Sequence, residues 1–176
     1  SHQRIGEKRV SVGIRTSDPA NFTLAEPTGL LGEYFDLGSE DVGSAALLPD
    51  LLANRTPTLT RIDSRFRFGR REDWALPFAP GRFAVRWSGT IAVETAQNLL
   101  VALQSESAAL LRIDGGDVVA DTDPHTLRES YGQGRLTPGE HRIELWSLHL
   151  GGDPRLHVFV TPVGRLDHLE VEPASL

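Results

Sequence analysis

Side chains that alternate apolar and polar between tight turns recur along this chain, and that pattern restricts its fold more than any other feature. Residues 83–91 (FAVRWSGTI), 110–121 (LLRIDGGDVVAD) and 136–145 (LTPGEHRIEL) each show it, and each is bounded by Gly, Pro or Asp. A strand with one dry and one wet face reads this way, because successive side chains point to opposite faces. Strands are expected over 83–93, 98–104, 109–113, 117–120, 126–130, 141–147 and 155–161. The breaks between them carry turn chemistry: Asp114-Gly115-Gly116, Pro138-Gly139 and Gly151-Gly152-Asp153-Pro154. A helical turn is expected only around 45–53, where Pro49 limits its length. Many short strands and almost no helix predict an all-β fold, an antiparallel β-sandwich or barrel.

Residues 1–28 read as an N-terminal extension with one strand, KRVSVGIRT, followed by turn-rich sequence. The main module spans 29–162 and opens on the strand GLLGEYFD. Within it RIDSRFRFG, at 61–69, reads as a strand with Ile62, Phe66 and Phe68 on its dry face and arginines on its wet one. Residues 163–176 form a tail, either a linker or a final edge strand. Ser1-His2 reads as a cloning remnant, so the chain is expected to be a piece of a larger protein. At 176 residues it is long enough to bury a real core. Its formal net charge of -6 argues against a nucleic-acid partner, since phosphate affinity comes from clustered Lys and Arg. Without cysteine, neither a disulfide framework nor a thiolate metal site can form. No apolar run approaches a membrane span and no signal-peptide pattern opens the sequence, so no membrane insertion is expected of these residues.

Five short motifs follow one another in a telling order. Gly29-Leu30-Leu31-Gly32-Glu33-Tyr34-Phe35 comes first, then Arg61-Ile62-Asp63 with Phe66-x-Phe68, then Phe83-x-Val85-Arg86-Trp87-x-Gly89. Ile113-Asp114-Gly115 and Gly139-x-His141 complete the set. Each is weak alone, but in this order they resemble the protective-antigen fourteen-kilodalton (PA-fourteen) domain family over residues 29–162. That resemblance implies an antiparallel β-sandwich and, as in several members, carbohydrate binding outside the cytoplasm. Calcium-dependent adhesins of the family hold the ion with two adjacent Asp residues in a Ser-Asp-Asp-Gly turn, joined by an Asn from a later loop. Here the matching positions are Ser105-Glu106-Ser107-Ala108 and Leu148. Calcium takes about 6–8 oxygen ligands, usually with several carboxylates. A calcium-independent module is therefore implied. The family's sugar-contacting loops correspond to 105–108 and 148–153. They nominate Ser105, Glu106, Ser107, His149 and Asp153, with Trp146 near the base of the second loop, as carbohydrate-binding residues.

Other residues read more plainly. Trp87 shares a face with Phe83 and Val85, which makes it core. Asp114 stabilises its own turn, and His141, with Ile143 and Leu145 beside it, is a packed, hydrogen-bonded histidine. Asp121, Asp123 and His125 alternate as ligands of a divalent cation could, but Thr122 and Pro124 make the run an ordinary polar turn, and no metal is expected. His149 and His157 lack a third ligand. Arg61, Arg65, Arg67, Arg70 and Arg71 form a solvated strand face whose guanidinium groups meet Glu72 and Asp73, with a polyanion or partner contact as the alternative.

There is no G-x-S-x-G elbow, H-E-x-x-H helix, P-loop or dinucleotide fingerprint. Glycoside hydrolysis needs two carboxylates across a cleft, but with 24 acidic residues a pair can always be nominated, so nomination decides nothing. The expectation is a non-catalytic, extracytoplasmic binding module without a cofactor. Its partners would be a carbohydrate and the neighbouring domains of a larger surface or sugar-active protein. The alternative is a structural spacer or protein-interaction module that binds no sugar.

Overall fold

The computed structural model describes residues 29–79, 81–162 and 169–170, so the strand expected within 1–28 lies outside the described residues, as does most of the 163–176 tail. The strands are β1 (Leu30–Gly38), β2 (Leu59–Asp63), β3 (Arg67–Phe68), β4 (Arg82–Val93), β5 (Gln97–Ile113), β6 (Gly116–Leu136), β7 (Gly139–His149), β8 (Leu156–Pro162) and β9 (Leu169–Glu170). Every pairing is antiparallel. The order is β2-β1-β4-β7-β5-β8-β3, with β6 also on β5 and β9 on β8. A 3-10 turn, Ala45–Leu47, leads into the short helix α1 (Leu48–Ala53), where the helical turn was expected. Pro49 stands at its start, where a missing N–H breaks no helical bond.

Strands β2 and β3 lie at the two ends of that order, yet only Ser64, Arg65 and Phe66 separate them. Four residue steps from Asp63 to Arg67 can span at most about 14 Å. The sheet must therefore curl until its ends approach each other, and it forms an antiparallel half-barrel of the sandwich type. The single strand expected over 61–69 is thus two strands on opposite edges. Its faces differ from expectation too, since Ile62 turns outward and Asp63 inward, while Phe66 and Phe68 are buried as expected.

Strand β5 makes the curl continuous. The strands expected at 98–104 and 109–113 are one strand of 17 residues, and those at 117–120 and 126–130 belong to one of 21 residues. Residues 105–108 are a bulge inside β5 rather than a turn, with register shifts on both sides of Ser107 and a φ of 100° at that residue. Before the bulge β5 pairs with β8, and after it with β7. A bulge bends and twists its strand, which is what this change of partner requires.

Two cores result. Phe83, Val85, Trp87, Leu111 and Leu145 fill the inside of the curl with Tyr34, Phe66, Phe68 and Trp74. Ile113, two residues beyond Leu111 on the same strand face, is only partly buried and packs against their edge. On the opposite face Phe35, Ala84, Leu110, Trp146 and Leu148 pack beneath Leu48 and Leu52 around α1. Strands β5 and β7 are therefore dry on both faces there, so their apolar runs lose the alternation seen elsewhere.

Candidate functional site

Three of the sequence motifs meet at one buried carboxylate. Asp63 accepts hydrogen bonds from the Tyr34 hydroxyl, from Trp87 Nε1 at 2.7 Å and from Arg61 Nε at 2.7 Å. Arg61 Nη2 also donates to the Tyr34 oxygen at 2.7 Å, and its guanidinium lies 4.4 Å from the Tyr34 ring centre. Burial, with Asp63 beside it, pushes the Tyr34 phenol well up. The two motif glycines make room for this cluster. A Cβ on Gly32 would stand 2.5 Å from Asp63 Oδ2, and one on Gly29, whose φ is 108°, 2.1 Å from the Asp63 carbonyl oxygen. Arg61 thus belongs to the interior network and not to a solvated face. These motif residues build the fold and leave nothing free to hold a ligand.

The two segments nominated for sugar contact do meet, at the end of the sheet where β5 changes partner. The Glu106 N–H donates to the Arg155 carbonyl at 3.0 Å, and Glu106 Oε1 comes within 3.8 Å of a Cβ built on Gly152. Gly151 and Gly152 have φ of 122° and 77°, which side-chain-bearing residues rarely adopt, so the β7–β8 loop can lie flat beneath Glu106. Trp74 pins this loop by donating Nε1 to the Pro154 carbonyl at 3.0 Å. The sequence carries no sign of this anchor, which depends on a residue 80 positions away.

The nominated residues divide by depth. Glu106 is half-buried and Asp153 exposed, and both reach the surface. Ser105 and Ser107 are buried, and neither hydroxyl finds a hydrogen-bond partner. His149, only 1% exposed, stacks on Phe83 at 4.5 Å and meets Trp74 edge-on at 4.6 Å, with Ser147 Oγ 2.9 Å from its Nε2. Burial drives its pKa down to about 3, against an opposing hydrogen bond with the Glu106 backbone. Trp146 does not join the site. Alternation along β7 turns it to the other face, into the core beneath α1, with the Arg112 guanidinium 5.4 Å from its ring centre. The dimple lined by Phe83, His149, Gly151 and Gly152 is too narrow for a water molecule. The positions that the resemblance matched to calcium ligands are poor in oxygen here. Glu106 is the only carboxylate in 105–108, and Leu148 is wholly buried and offers no oxygen.

The remaining candidates are saturated by neighbours. Asp114 Oδ2 lies 2.6 Å from His141 Nδ1, and Oδ1 accepts from the Arg142 N–H at 2.9 Å. His141 Nε2 in turn lies 2.6 Å from the Thr137 carbonyl. Asp114 therefore ties two hairpin ends together as well as occupying its own turn. Asp121 is buried under Arg128, His125 at 2.7 Å and Ser130 at 2.6 Å, while Asp123 stays exposed. The run 121–125 thus does not converge on a common point. Among the described residues no group of three or more His, Asp or Glu is placed to hold a metal ion. His157 stands opposite Arg67 on β3, away from any pairing with His149.

Geometry and composition together define an all-β domain with no catalytic apparatus among its described residues. Its fold is of the PA14 type. Neither a protein-family model nor a curated protein sequence matches the chain. Solved structures do. The PA14 domain of the MpAFP antifreeze protein matches with a TM-score of 0.72 at 13% identity, over 91% of this chain and 93% of that one. A PA14 sugar-binding domain from an RTX adhesin also gives 0.72, at 16% identity, over 83% of this chain and 95% of that one. The epithelial adhesin 9 A domain from Candida glabrata, solved with Galβ1-4GlcNAc, gives 0.62 at 10% identity, with 91% of each chain covered.

Proposed function

We propose that this domain is a carbohydrate-recognition or accessory module of a larger protein, working outside the cytoplasm. Support comes first from the convergence of Glu106 with the Gly151-Gly152-Asp153 loop at one end of the sheet. A strained backbone and two unpartnered buried hydroxyls mark the same place. Strain and unmet hydrogen bonds are kept where they serve something, so this end of the sheet is the first place to look for a ligand. Further support lies in the likeness of the whole fold to a domain described as sugar-binding and to another solved with a disaccharide. Glu106 and Asp153 would accept from sugar hydroxyls, with the buried Ser105, Ser107 and His149 shaping the floor. No helix among the described residues is long and apolar enough to cross a membrane, and the module needs no such helix of its own.

The second reading, a spacer or protein-interaction module, is favoured by the narrowness of the dimple and by Leu148 in place of a polar ligand. A thermal-shift screen against simple sugars and a glycan array separates the two. A sugar at 100 times its Kd should stabilise the domain by about 2.7 kcal/mol, and Glu106→Gln with Asp153→Asn should remove the shift. Failure of every sugar in both assays would leave the spacer reading.

A further inference from the structure

Two of the five arginines expected on a solvated strand face, Arg67 and Arg70, border a concavity. Arg67, Arg70, Arg155 and His157 line an open cavity of about 510 Å³, together with Gly69 and Asp73. Pairing of β3 with β8 sets this up, because Arg67 stands opposite His157 and Arg155 immediately precedes β8. Asp73 closes the connecting turn. Its Oδ2 accepts from the backbone N–H groups of Gly69 and Arg70, both at 2.8 Å, which brings Arg70 to the rim. Gly69 contributes backbone to the floor, between His157 and Asp73.

Among the cavity's lining residues Arg70 and Arg155 stand with a single carboxylate, Asp73, on a chain whose net charge is -6. Elsewhere Arg55, Arg61, Arg86, Arg112 and Arg128 each have a carboxylate partner. Among the described residues Arg70 and Arg155 form no ion pair. Guanidinium forks match the geometry of carboxylate and sulfate groups and are weakly hydrated, so they bind such groups well. The volume falls within the roughly 300–1,000 Å³ of pockets that hold small ligands. Because the Arg155 carbonyl accepts the Glu106 N–H, the cavity adjoins the end of the sheet assigned above to sugar contact.

We propose that this cavity is an oxyanion site for an acidic saccharide, taking a carboxylate or sulfate group borne on a sugar. The choice of a saccharide rests on the function proposed above, whereas the choice of an oxyanion rests on the cavity alone. A nucleic acid fits less well, because a single cationic concavity on an acidic chain offers no track for successive phosphates.

The test is calorimetric titration of the whole chain at low ionic strength with three oligosaccharides of equal length, one bearing uronates, one sulfated and one neutral, and with single-stranded DNA. The uronate or the sulfated compound should bind roughly tenfold or more tightly than the neutral one, and which of them does so identifies the oxyanion. Replacing both cavity arginines, Arg70→Ala with Arg155→Ala, should abolish that advantage, whereas Arg135→Ala, an exposed charge on β6 away from the cavity, should leave it. Both cavity positions are exposed, and Arg70→Gln with Arg155→Gln repeats the test with longer side chains if the first variant melts early. Equal affinity for acidic and neutral compounds overturns the proposal. So does acidic binding that survives the double substitution, or DNA binding as tight as that of the saccharide. If only neutral sugar binds, the sugar-contact reading stands and the oxyanion site falls. If no saccharide of any kind binds, both fall.

Discussion

Asp63 holds three donors where water barely reaches, and its loss would strand each of them: the Tyr34 hydroxyl, the Trp87 indole and the Arg61 guanidinium. Removing one member of a buried ionic set leaves an uncompensated charge, so Asp63→Ala should cost about 3–5 kcal/mol in urea unfolding. Tyr34→Phe deletes a single donor and should cost less, about 1.5–3 kcal/mol. Equal losses would show that Asp63 is no hub. This cluster was half legible beforehand. Trp87 and Phe83 declare themselves by alternation, but a charged pair pointing inward breaks the pattern and can be found only in three dimensions. Ser107 presents the opposite case, a residue whose side chain and backbone both cost stability, through a buried unpartnered hydroxyl and a φ of 100°. Glycine relieves both. Ser107→Gly should stabilise the domain by about 1 kcal/mol. A lowered melting temperature instead would show that the hydroxyl is satisfied in solution.

Among the elements, β5 and β6 were visible in fragments because bulges interrupt their alternation without ending their pairing. Period-2 pattern reports faces, and it carries no information on which partner lies at each edge. Trp146 illustrates the limit. Its position one strand residue from Ser147 puts it on the opposite face from His149, yet both lie in an apolar run where alternation had vanished. The two ends of β7 also respond to pH in opposite senses. His141 near its start is raised above the ordinary histidine range by its hydrogen bond to Asp114 and by the Thr137 carbonyl. A raised histidine contributes stability that is complete below about pH 6.5 and lost as pH rises through its folded-state value. Asp114 is lowered by the same bond, so its share is present above about pH 3.8 and lost as pH falls through its own folded-state value. His149, at about 3 through burial, does the reverse of His141 and withdraws stability as pH falls below about 6.5. Over its full range that shift is worth on the order of 5 kcal/mol. The penalty of His141→Gln in urea melts should therefore be larger near about pH 5.5 than near about pH 9, and through His149 both the variant and the parent should lose stability from about pH 6.5 downward. A penalty independent of pH would sever the link between His141 and Asp114.

At the scale of the whole molecule the curl follows from three residues, Ser64, Arg65 and Phe66, which join the two extreme strands of the sheet. Alternation and turn chemistry could name the class of fold, and the order of motifs its type. Neither could show that one segment spans both edges, because edge identity is a long-range property. The same closure gathers the arginine cavity and the Glu106 end of the sheet on one part of the surface, since β8 borders both. The two proposed ligand contacts thus share one face, and an ion could help to hold a ligand there only if the residues present can bind one. Calcium affinity depends on converging oxygens and on their total charge. Residues 105–108 bring one carboxylate, Ser107 is turned into the interior, and Leu148 packs under α1 with no oxygen to offer. Asp153 is the nearest further acid in the adjoining loop, and it is exposed. A site so poor in charge should bind calcium too weakly to stabilise the fold at millimolar concentration. The melting temperature should accordingly be the same in calcium and in chelator, and any sugar affinity should survive the chelator. If calcium raises the melting temperature and Glu106→Gln cancels the rise, then Glu106 and Asp153 close on an ion in solution, and the ligand is held through that ion rather than by side chains alone.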